Sequence, residues 1–257
     1  MNPTIDLNCD IGESFGPWHL GQDEALLDLV SSANIACGWH AGDPATMAAT
    51  VGRAVARGVA LGAHPGLPDL QGFGRRTMAL SPEEVRGLTL YQVGALAAFA
   101  RAAGTRLRHV KAHGALYNMA ARDRRLADAI AGAVRDFDPT LVLVGLSGSE
   151  LLGAGRALGL SCQSEVFADR AYEPDGSLTP RGLPGAMIED EALAVERVLR
   201  MALEGRVTCR GGVERELQAD TVCIHGDQPR ALAFARRLRT ALEAAGVAIS
   251  AAAAGSR

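Results

Sequence analysis

Residues 32–64 read SANIACGWHAGDPATMAATVGRAVARGVALGAH, and this stretch decides the fold. It contains two short apolar runs, Ser32–Cys37 and Ala60–His64, separated by a helical pattern over Pro44–Arg57. Asp43 can cap that helix, because an aspartate before a proline at the first helical position is a common helix start. Two strands joined by one helix predict a parallel pair with a helical crossover.

The same alternation of strand and helix extends in both directions along the 257 residues. The other predicted strands are Ile5–Asp10, Leu107–His113, Leu141–Leu146, Ser161–Phe167 and Thr221–His225. The other predicted helices are Asp23–Leu29, Pro82–Ala103, Asp123–Asp136, Ser149–Ala157, Glu189–Glu204 and Gln228–Ala245. A weak eighth unit lies near Gly246–Ser250. We therefore predict an α/β fold, a distorted or incomplete (β/α) barrel of about seven parallel strands, with residues 1–257 forming a single domain.

The composition excludes several classes of function. A formal net charge of −3 gives no broad basic surface for nucleic acid or an anionic membrane. The five cysteines show no C-x-x-C spacing, which favours buried reduced thiols. No apolar run approaches the roughly 18 residues that a membrane span requires, and no signal peptide is evident. We expect a cytoplasmic protein.

Four histidines, His40, His64, His113 and His225, stand at or just after the ends of predicted strands. Parallel strands place their carboxyl ends on one face of a barrel, and active sites gather there. A single histidine at such a place is usually structural, but four of them favour a site. We keep the structural interpretation for His19 and His109.

Polar residues also alternate along the first strand, where Asp6, Asn8 and Asp10 share one face. Buried charges are costly unless they are paired or functional, so Asn8 and Asp10 are candidate site residues. Asp6 belongs either to the site or to the floor of the barrel. Glu13 either reaches the site or caps a loop.

Lys111 is the only lysine in the chain, and it lies in a predicted core strand. A compact ammonium can donate to an oxyanion or change its pKa on burial, which a guanidinium cannot do. This favours a chemical role. The alternative is a buried ion pair with Asp10 or Glu165.

The segment Gly72-Phe-Gly-Arg-Arg76 follows Gly62-Ala-His-Pro-Gly66 and places Arg75 and Arg76 on a glycine-rich loop. Such a pair can bind a carboxylate or a phosphate, although arginines on loops are often only solvated. The chain has no G-x-x-x-x-G-K-[ST] segment, which excludes a P-loop.

Taken together, these segments resemble the LamB/YcsF family from residue 6 to residue 227. The matching segments are Asp6-Leu-Asn-Cys-Asp-Ile-Gly-Glu13, Asn34-Ile-Ala-Cys-Gly-Trp-His-Ala-Gly-Asp-Pro44, the two glycine segments above, Val110-Lys-Ala-His-Gly-Ala-Leu-Tyr-Asn118, Glu165-Val-Phe-Ala-Asp-Arg-Ala-Tyr172 and Cys223-Ile-His-Gly-Asp227. One departure is Ala112, where the family is expected to favour proline between the lysine and the histidine.

The resemblance implies a barrel like those of glycoside hydrolases and deacetylases. It also implies cleavage of 5-oxo-L-proline to L-glutamate with ATP as co-substrate, in a 5-oxoprolinase of which this family forms the A subunit, with partner subunits B and C. The expected catalytic residues are Asp10, His40, His64, Lys111, His113 and His225. The expected substrate-binding residues are Asn8, Glu13, Arg75, Arg76, Tyr117, Asp169, Arg170 and Asp227.

Two other functions stay open at this point. Asp10, His40, His64 and His113 are suitable ligand types for Zn²⁺, so a metal-dependent deacetylase or other C–N hydrolase is the alternative enzyme. A regulatory or scaffolding protein is the alternative without chemistry. The sequence leaves open which subunit binds ATP, whether a divalent metal is required, which residue activates water, and the oligomeric state.

Replacing Lys111 with arginine tests the chemical role of the only lysine. The positive charge is retained, but the planar guanidinium is bulkier than an ammonium and spreads its N–H donors over three nitrogens. We expect 5-oxoproline turnover to fall by orders of magnitude while circular dichroism shows a folded chain. Near-normal turnover would reduce Lys111 to a structural ion-pair partner.

Overall fold

The computed structural model describes residues 3–225 and 231–251, with ten strands and eight α-helices in those ranges. The strands are β1 Thr4–Ile11, β2 Ser32–Ala36, β3 Ala60–His64, β4 His109–Lys111, β5 Val142–Leu146, β6 Cys162–Phe167, β7 Arg206–Thr208, β8 Glu214–Glu216, β9 Thr221–His225 and β10 Ala248–Ile249. The helices are α1 Asp23–Leu26, α2 Pro44–Ala56, α3 Pro82–Ala102, α4 Gly114–Ala120, α5 Arg124–Phe137, α6 Glu150–Ala157, α7 Glu191–Glu204 and α8 Ala231–Ala244.

Seven parallel strands form a closed barrel in the order β1, β2, β3, β4, β5, β6 and β9. The ring closes because β1 pairs in parallel with β9, from Asp6 opposite Thr221 to Asp10 opposite His225. The weak eighth unit is β10, which pairs with Thr4 and Ile5 at the start of β1. The predicted barrel of about seven parallel strands is confirmed.

The strands divide their side chains between an apolar layer and a polar barrel interior. In β1, residues Ile5, Leu7, Cys9 and Ile11 join the apolar core. The residues between them point the other way, and Asn8 forms hydrogen bonds to β2, β6 and β9. The period of two along this strand therefore sends its polar side chains inside the barrel.

Helix starts follow the capping signals in the sequence. The Asp43 carboxylate accepts from the Thr46 backbone N–H at 2.9 Å, and Pro44 occupies the first turn of α2. Ser81 and Glu84 form a reciprocal capping box at the start of α3. Both predicted helices therefore begin at Pro44 and Pro82.

Two regions differ from the sequence prediction. Strand β4 ends at Lys111, two residues before the predicted end, because His113 is the N-cap of the unpredicted helix α4 and Gly114 turns the chain at φ +53°. The antiparallel hairpin of β7 and β8 was also not predicted, since its strands have three residues each.

All five cysteines are free, and four of them are buried. In the ranges 3–225 and 231–251, no helix is both long and apolar enough to cross a membrane.

Gly62 in β3 is required for the packing of the barrel interior, because a Cβ there would overlap the His109 ring of β4. We expect Gly62→Ala to lower the free energy of unfolding by about 1–3 kcal/mol through overpacking. The control is Gly52→Ala on an exposed face of α2, where an added Cβ meets open space. That change should stabilise the chain by about 0.5–1 kcal/mol. Urea unfolding measures the free energy of unfolding of both variants, and an equal change in the two would contradict the packing role of Gly62.

Candidate active site

Lys111 lies at the centre of the barrel interior and is 2 % exposed. Its Nζ is 2.8 Å from Glu165 Oε1 of β6 and 2.9 Å from Asp10 Oδ1 of β1. It also approaches Asn8 Oδ1 at 3.2 Å and Cys223 Sγ at 3.1 Å. Burial alone lowers the pKa of Lys111, but the Asp10 and Glu165 carboxylates outweigh it and hold that pKa well above its ordinary value. The lysine is therefore a fixed cation.

Asparagine side chains connect this cation to neighbouring strands. Asn34 Nδ2 of β2 donates to Asn8 Oδ1 at 2.7 Å and to Asp10 Oδ1 at 2.8 Å. Asn8 Nδ2 donates to Glu165 Oε1 at 3.0 Å and to Thr221 Oγ1 at 2.7 Å. These bonds fix the Asp10 and Glu165 carboxylates, because each accepts from groups on at least two other strands.

A cluster of four buried side chains, Glu13, His40, His64 and His113, lies beside Asp10. Their nearest ligand atoms are all within 4.8 Å of one another, so this cluster could hold a metal ion. His64 Nε2 is 2.9 Å from His113 Nδ1 and 3.3 Å from Asp10 Oδ2. Glu13 Oε1 lies 3.3 Å from His40 Nε2 and 3.6 Å from His113 Nδ1.

Burial lowers the pKa values of His40 and His113 well below the ordinary value, and the neighbouring histidines lower both further. Both rings are therefore neutral at pH 7 in the absence of a stronger counter-charge. Burial and Lys111 likewise lower the pKa of His109 to about 3. His109 Nε2 donates to Asn34 Oδ1 at 2.7 Å, in agreement with the structural interpretation of this residue.

The loop after β3 fits closely around the histidines. Phe73 adopts φ +54°, which is uncommon for a residue with a side chain, and its carbonyl oxygen is 2.8 Å from His113 Nε2. At Gly74, with φ +62°, a Cβ would come within 2.7 Å of His40 Cβ and 2.9 Å of His113 Cδ2. The glycine is required because any side chain would push the two rings apart.

The cluster opens into a cavity of about 580 Å³ at the carboxyl ends of the strands. One wall contains Asp10, Glu13, His64, Lys111 and His113. Four arginines also line the cavity: Arg75, Arg122, Arg170 and Arg181. The cavity therefore has a wall of carboxylates and histidines and a set of guanidinium groups.

Arg170 is the most buried of these arginines, with 5 % of its surface exposed. Its Nη2 donates to the Thr179 carbonyl at 2.6 Å, whereas its buried Nε has no hydrogen-bond partner among the described residues. Burial, followed by repulsion from Arg181, lowers the pKa of Arg170 to about 10. At pH 7 it remains a buried cation lining the cavity.

The predicted site residues divide into four groups. Asp10, Glu13, His64, Arg75, Lys111, His113, Tyr117 and Arg170 line the cavity. Asn8 and His40 lie directly behind it, bonded to lining residues. His225 ends β9, but its side chain and all of Asp227 lie outside the described residues.

Arg76 and Asp169 form the fourth group, and neither lines the cavity. Arg76 forms an ion pair with the buried carboxylate of Asp69, and its hydrogen bond lowers the pKa of Asp69 to about 2. Asp169 is half-buried, and its backbone carbonyl accepts from Ile188 N–H at 2.8 Å. Arg75, not Arg76, is therefore the cation that the glycine-rich loop presents to the cavity.

Asp6, left open between site and floor, accepts hydrogen bonds from Ser31, Ser32 and Thr221. It is buried and does not line the cavity, so it belongs to the floor. Sequence reasoning missed Phe73, Arg122 and Arg181. Phe73 could have been noticed from its place between Gly72 and Gly74. Arg181 lies in the irregular segment 168–187, whose prolines and glycines are typical of an active-site loop, whereas nothing near Arg122 marked that arginine.

Comparisons with known proteins give consistent results over nearly the whole chain. The LamB/YcsF family profile matches residues 5–257. A protein of Methylococcus capsulatus, named as the A subunit of 5-oxoprolinase, is 64% identical over 98% of this chain and 96% of its own length. The protein of the same name from Bacillus subtilis is 57% identical over 96% of both chains. A crystal structure of a lactam utilization protein from Thermus thermophilus superposes with a TM-score of 0.91, at 53% identity, covering 97% of this chain and 100% of that one.

Proposed function

The chain belongs to the LamB/YcsF family, and we infer that it acts as the A subunit of a 5-oxoprolinase, an ATP-dependent hydrolase of 5-oxo-L-proline. The observation that carries this inference is the cavity, where a wall of Asp10, Lys111 and the histidine cluster meets buried and rim arginines. Relatives of similar length and of this name support the same activity.

The reaction needs an energy source because the lactam is an unstrained five-membered ring with full amide resonance. Transfer of a phosphoryl group from ATP to the amide oxygen makes the ring carbon a stronger electrophile. Water then adds to that carbon, the C–N bond breaks, and the nitrogen takes up a proton. The resulting acyl phosphate loses phosphate to a second water, so that one ATP and two waters yield glutamate, ADP and phosphate.

We assign Lys111 to the electrostatic stabilisation of the oxyanion at the ring carbon. It lines the cavity, and Asp10 and Glu165 hold its positive charge in place before negative charge develops there. The ion pair expected as the structural alternative is present, and it holds the lysine in place for this role.

Asp10 is the group that we assign to orient the attacking water. Lys111 and Asn34 both donate to its Oδ1, whereas Oδ2 is directed toward His64 at 3.3 Å. His64 and His113 line the same cavity, and His64 Nε2 is 3.3 Å from Asp10 Oδ2, so water held by Asp10 is next to the histidine cluster.

Arg170 and Arg75 are the groups that we assign to the phosphoryl group of the activated lactam. Guanidinium groups bind phosphate with paired charge-assisted hydrogen bonds, and the buried Nε of Arg170 has no partner among the described residues. A volume of about 580 Å³ accommodates the small lactam together with a phosphoryl group.

We assign the delivery of ATP to partner subunits B and C. The chain has no P-loop, and its single lysine is buried in the barrel. A purely scaffolding role does not explain why the chain retains buried charges lining a cavity. The deacetylase alternative is not favoured, because the relatives' names point to a lactam.

We expect the purified chain alone to show little or no glutamate formation from 5-oxoproline and ATP. Adding the purified partner subunits should give steady release of glutamate and ADP in equal amounts, at about 1 per second or more. Amino-acid analysis and a coupled ADP assay measure both products. Turnover at that rate by the chain alone would overturn the division of labour, and no turnover with partners would overturn the activity.

Arg170→Gln tests the phosphoryl-binding role in the reconstituted enzyme. Loss of a buried guanidinium should lower kcat/KM for 5-oxoproline by about 10²–10³-fold. The matched control is Arg236→Gln on the exposed part of α8, which should retain the wild-type value. Circular dichroism checks folding of both variants. A kcat/KM within about threefold of wild type for Arg170→Gln would remove Arg170 from the site.

A further inference from the structure

His64 and His113 each use one ring nitrogen as a hydrogen-bond donor to a backbone carbonyl. His64 Nδ1 lies 2.8 Å from the Lys111 backbone carbonyl, and His113 Nε2 lies 2.8 Å from the Phe73 carbonyl. A carbonyl oxygen only accepts, so each of these nitrogens carries a hydrogen. In a neutral imidazole the other nitrogen then has a lone pair.

These two lone pairs point at one another. His64 Nε2 and His113 Nδ1 are 2.9 Å apart, and two acceptors at this distance repel unless a cation or a proton lies between them. Glu13 Oε1 adds a carboxylate oxygen 3.6 Å from His113 Nδ1. Three acceptor atoms therefore converge on the same small volume.

The buried carboxylates near this volume also favour the binding of a cation. Asp10, Glu13 and Glu165 are carboxylates in or beside this volume, and Lys111 is the one ammonium among them. These carboxylates outnumber the ammonium in largely buried surroundings, and such a set of oxygen atoms favours a cation beside them.

We propose that Glu13, His64 and His113 bind one divalent transition-metal cation of the Zn²⁺ class. Two imidazole nitrogens and one carboxylate oxygen suit Zn²⁺ and its neighbours in the first transition row, whereas Mg²⁺ and Ca²⁺ prefer oxygen ligands only. All three ligands line the cavity, so the metal retains a coordination position on the cavity side.

His40 is not one of the proposed metal ligands, because it lies behind the cavity. Its ring stacks on that of His113, with centroids 3.7 Å apart and planes 2° from parallel. A metal in the plane of the His113 ring lies outside the plane of His40. His40 Nε2 instead faces Glu13 Oε1 at 3.3 Å and orients that carboxylate. His40 is thus a positioning residue.

Metal binding at this place rests on hydrogen-bond geometry and charge, independently of the lactam reaction. Bound there by Glu13, His64 and His113, such a metal would supply a water of lowered pKa beside Asp10.

The test is metal analysis of the full chain, prepared without a histidine tag, in the absence of substrate and partners. We expect about one equivalent of transition metal by mass spectrometry and submicromolar Zn²⁺ binding in competition with a chromophoric chelator. Removing the metal with a chelator should lower Tm by about 5 °C or more, and Zn²⁺ should restore it. X-ray absorption should show two imidazole nitrogens near 2.0–2.1 Å and no sulfur ligand.

Substitutions of the proposed ligands test which residues bind the metal. His64→Gln, His113→Gln and Glu13→Gln should each weaken Zn²⁺ binding by at least about 100-fold, and His40→Gln by about 10–100-fold. The controls are His109→Gln, another buried histidine, and His19→Gln in an exposed loop, which should bind as the wild type does.

Two results would overturn the proposal. One is wild-type protein that binds less than a tenth of an equivalent of Zn²⁺, Mn²⁺, Co²⁺ or Ni²⁺, which would mean that His64 and His113 share a proton instead. The other is Zn²⁺ binding that survives in both His64→Gln and His113→Gln. If a variant fails to fold, the ligand set seen by X-ray absorption of the wild type still decides the question.

Discussion

The buried ammonium of Lys111 is the constraint on which the rest of the site depends. Barrel interiors are usually packed with branched apolar side chains, but here a cation sits between Asp10 and Glu165. Removing a partner from a buried ion pair leaves an uncompensated charge, at a cost of about 3–5 kcal/mol. Each carboxylate must therefore keep its place, and the strands that carry them, β1 and β6, are held at fixed distances from β4.

Polar side chains next to this centre follow from the same constraint. Asn8 and Asn34 donate to the carboxylates that Lys111 contacts, and Asn34 also accepts from His109. With Thr221 and Cys223 of β9, the network links five strands of the ring, so the carboxyl ends of those strands are registered against one another. His64, which ends β3, donates from Nδ1 to the Lys111 backbone carbonyl of β4, and its Nε2 lies 2.9 Å from Nδ1 of His113, which follows β4.

Sequence patterns predicted the barrel well and the site in part. Alternation along Thr4–Ile11 and the caps at Asp43 and Ser81 are local signals, and the corresponding elements formed as expected. The turn at Phe73 could not be predicted, because its φ of +54° depends on packing against His113. Arg122 and Arg181 were missed for a similar reason, since only the folded loops bring them to the cavity. Arg76 looked equivalent to Arg75 in sequence, but in the structure it forms an ion pair with the Asp69 carboxylate.

The charged groups that line the cavity bear on how a substrate with both an anion and an electrophilic carbon is oriented. In the proposed function, Arg170 and Arg75 attract the anionic part of the substrate. We propose that the carbon then faces Lys111 and Asp10, the groups assigned to the oxyanion and to the attacking water. An unactivated lactam carries only its carboxylate, but a phosphorylated lactam has a second anion next to the reacting carbon. We propose that the guanidinium groups hold that second anion while Asp10 and Lys111 act at the carbon. In this arrangement the cavity favours the activated intermediate over the free lactam.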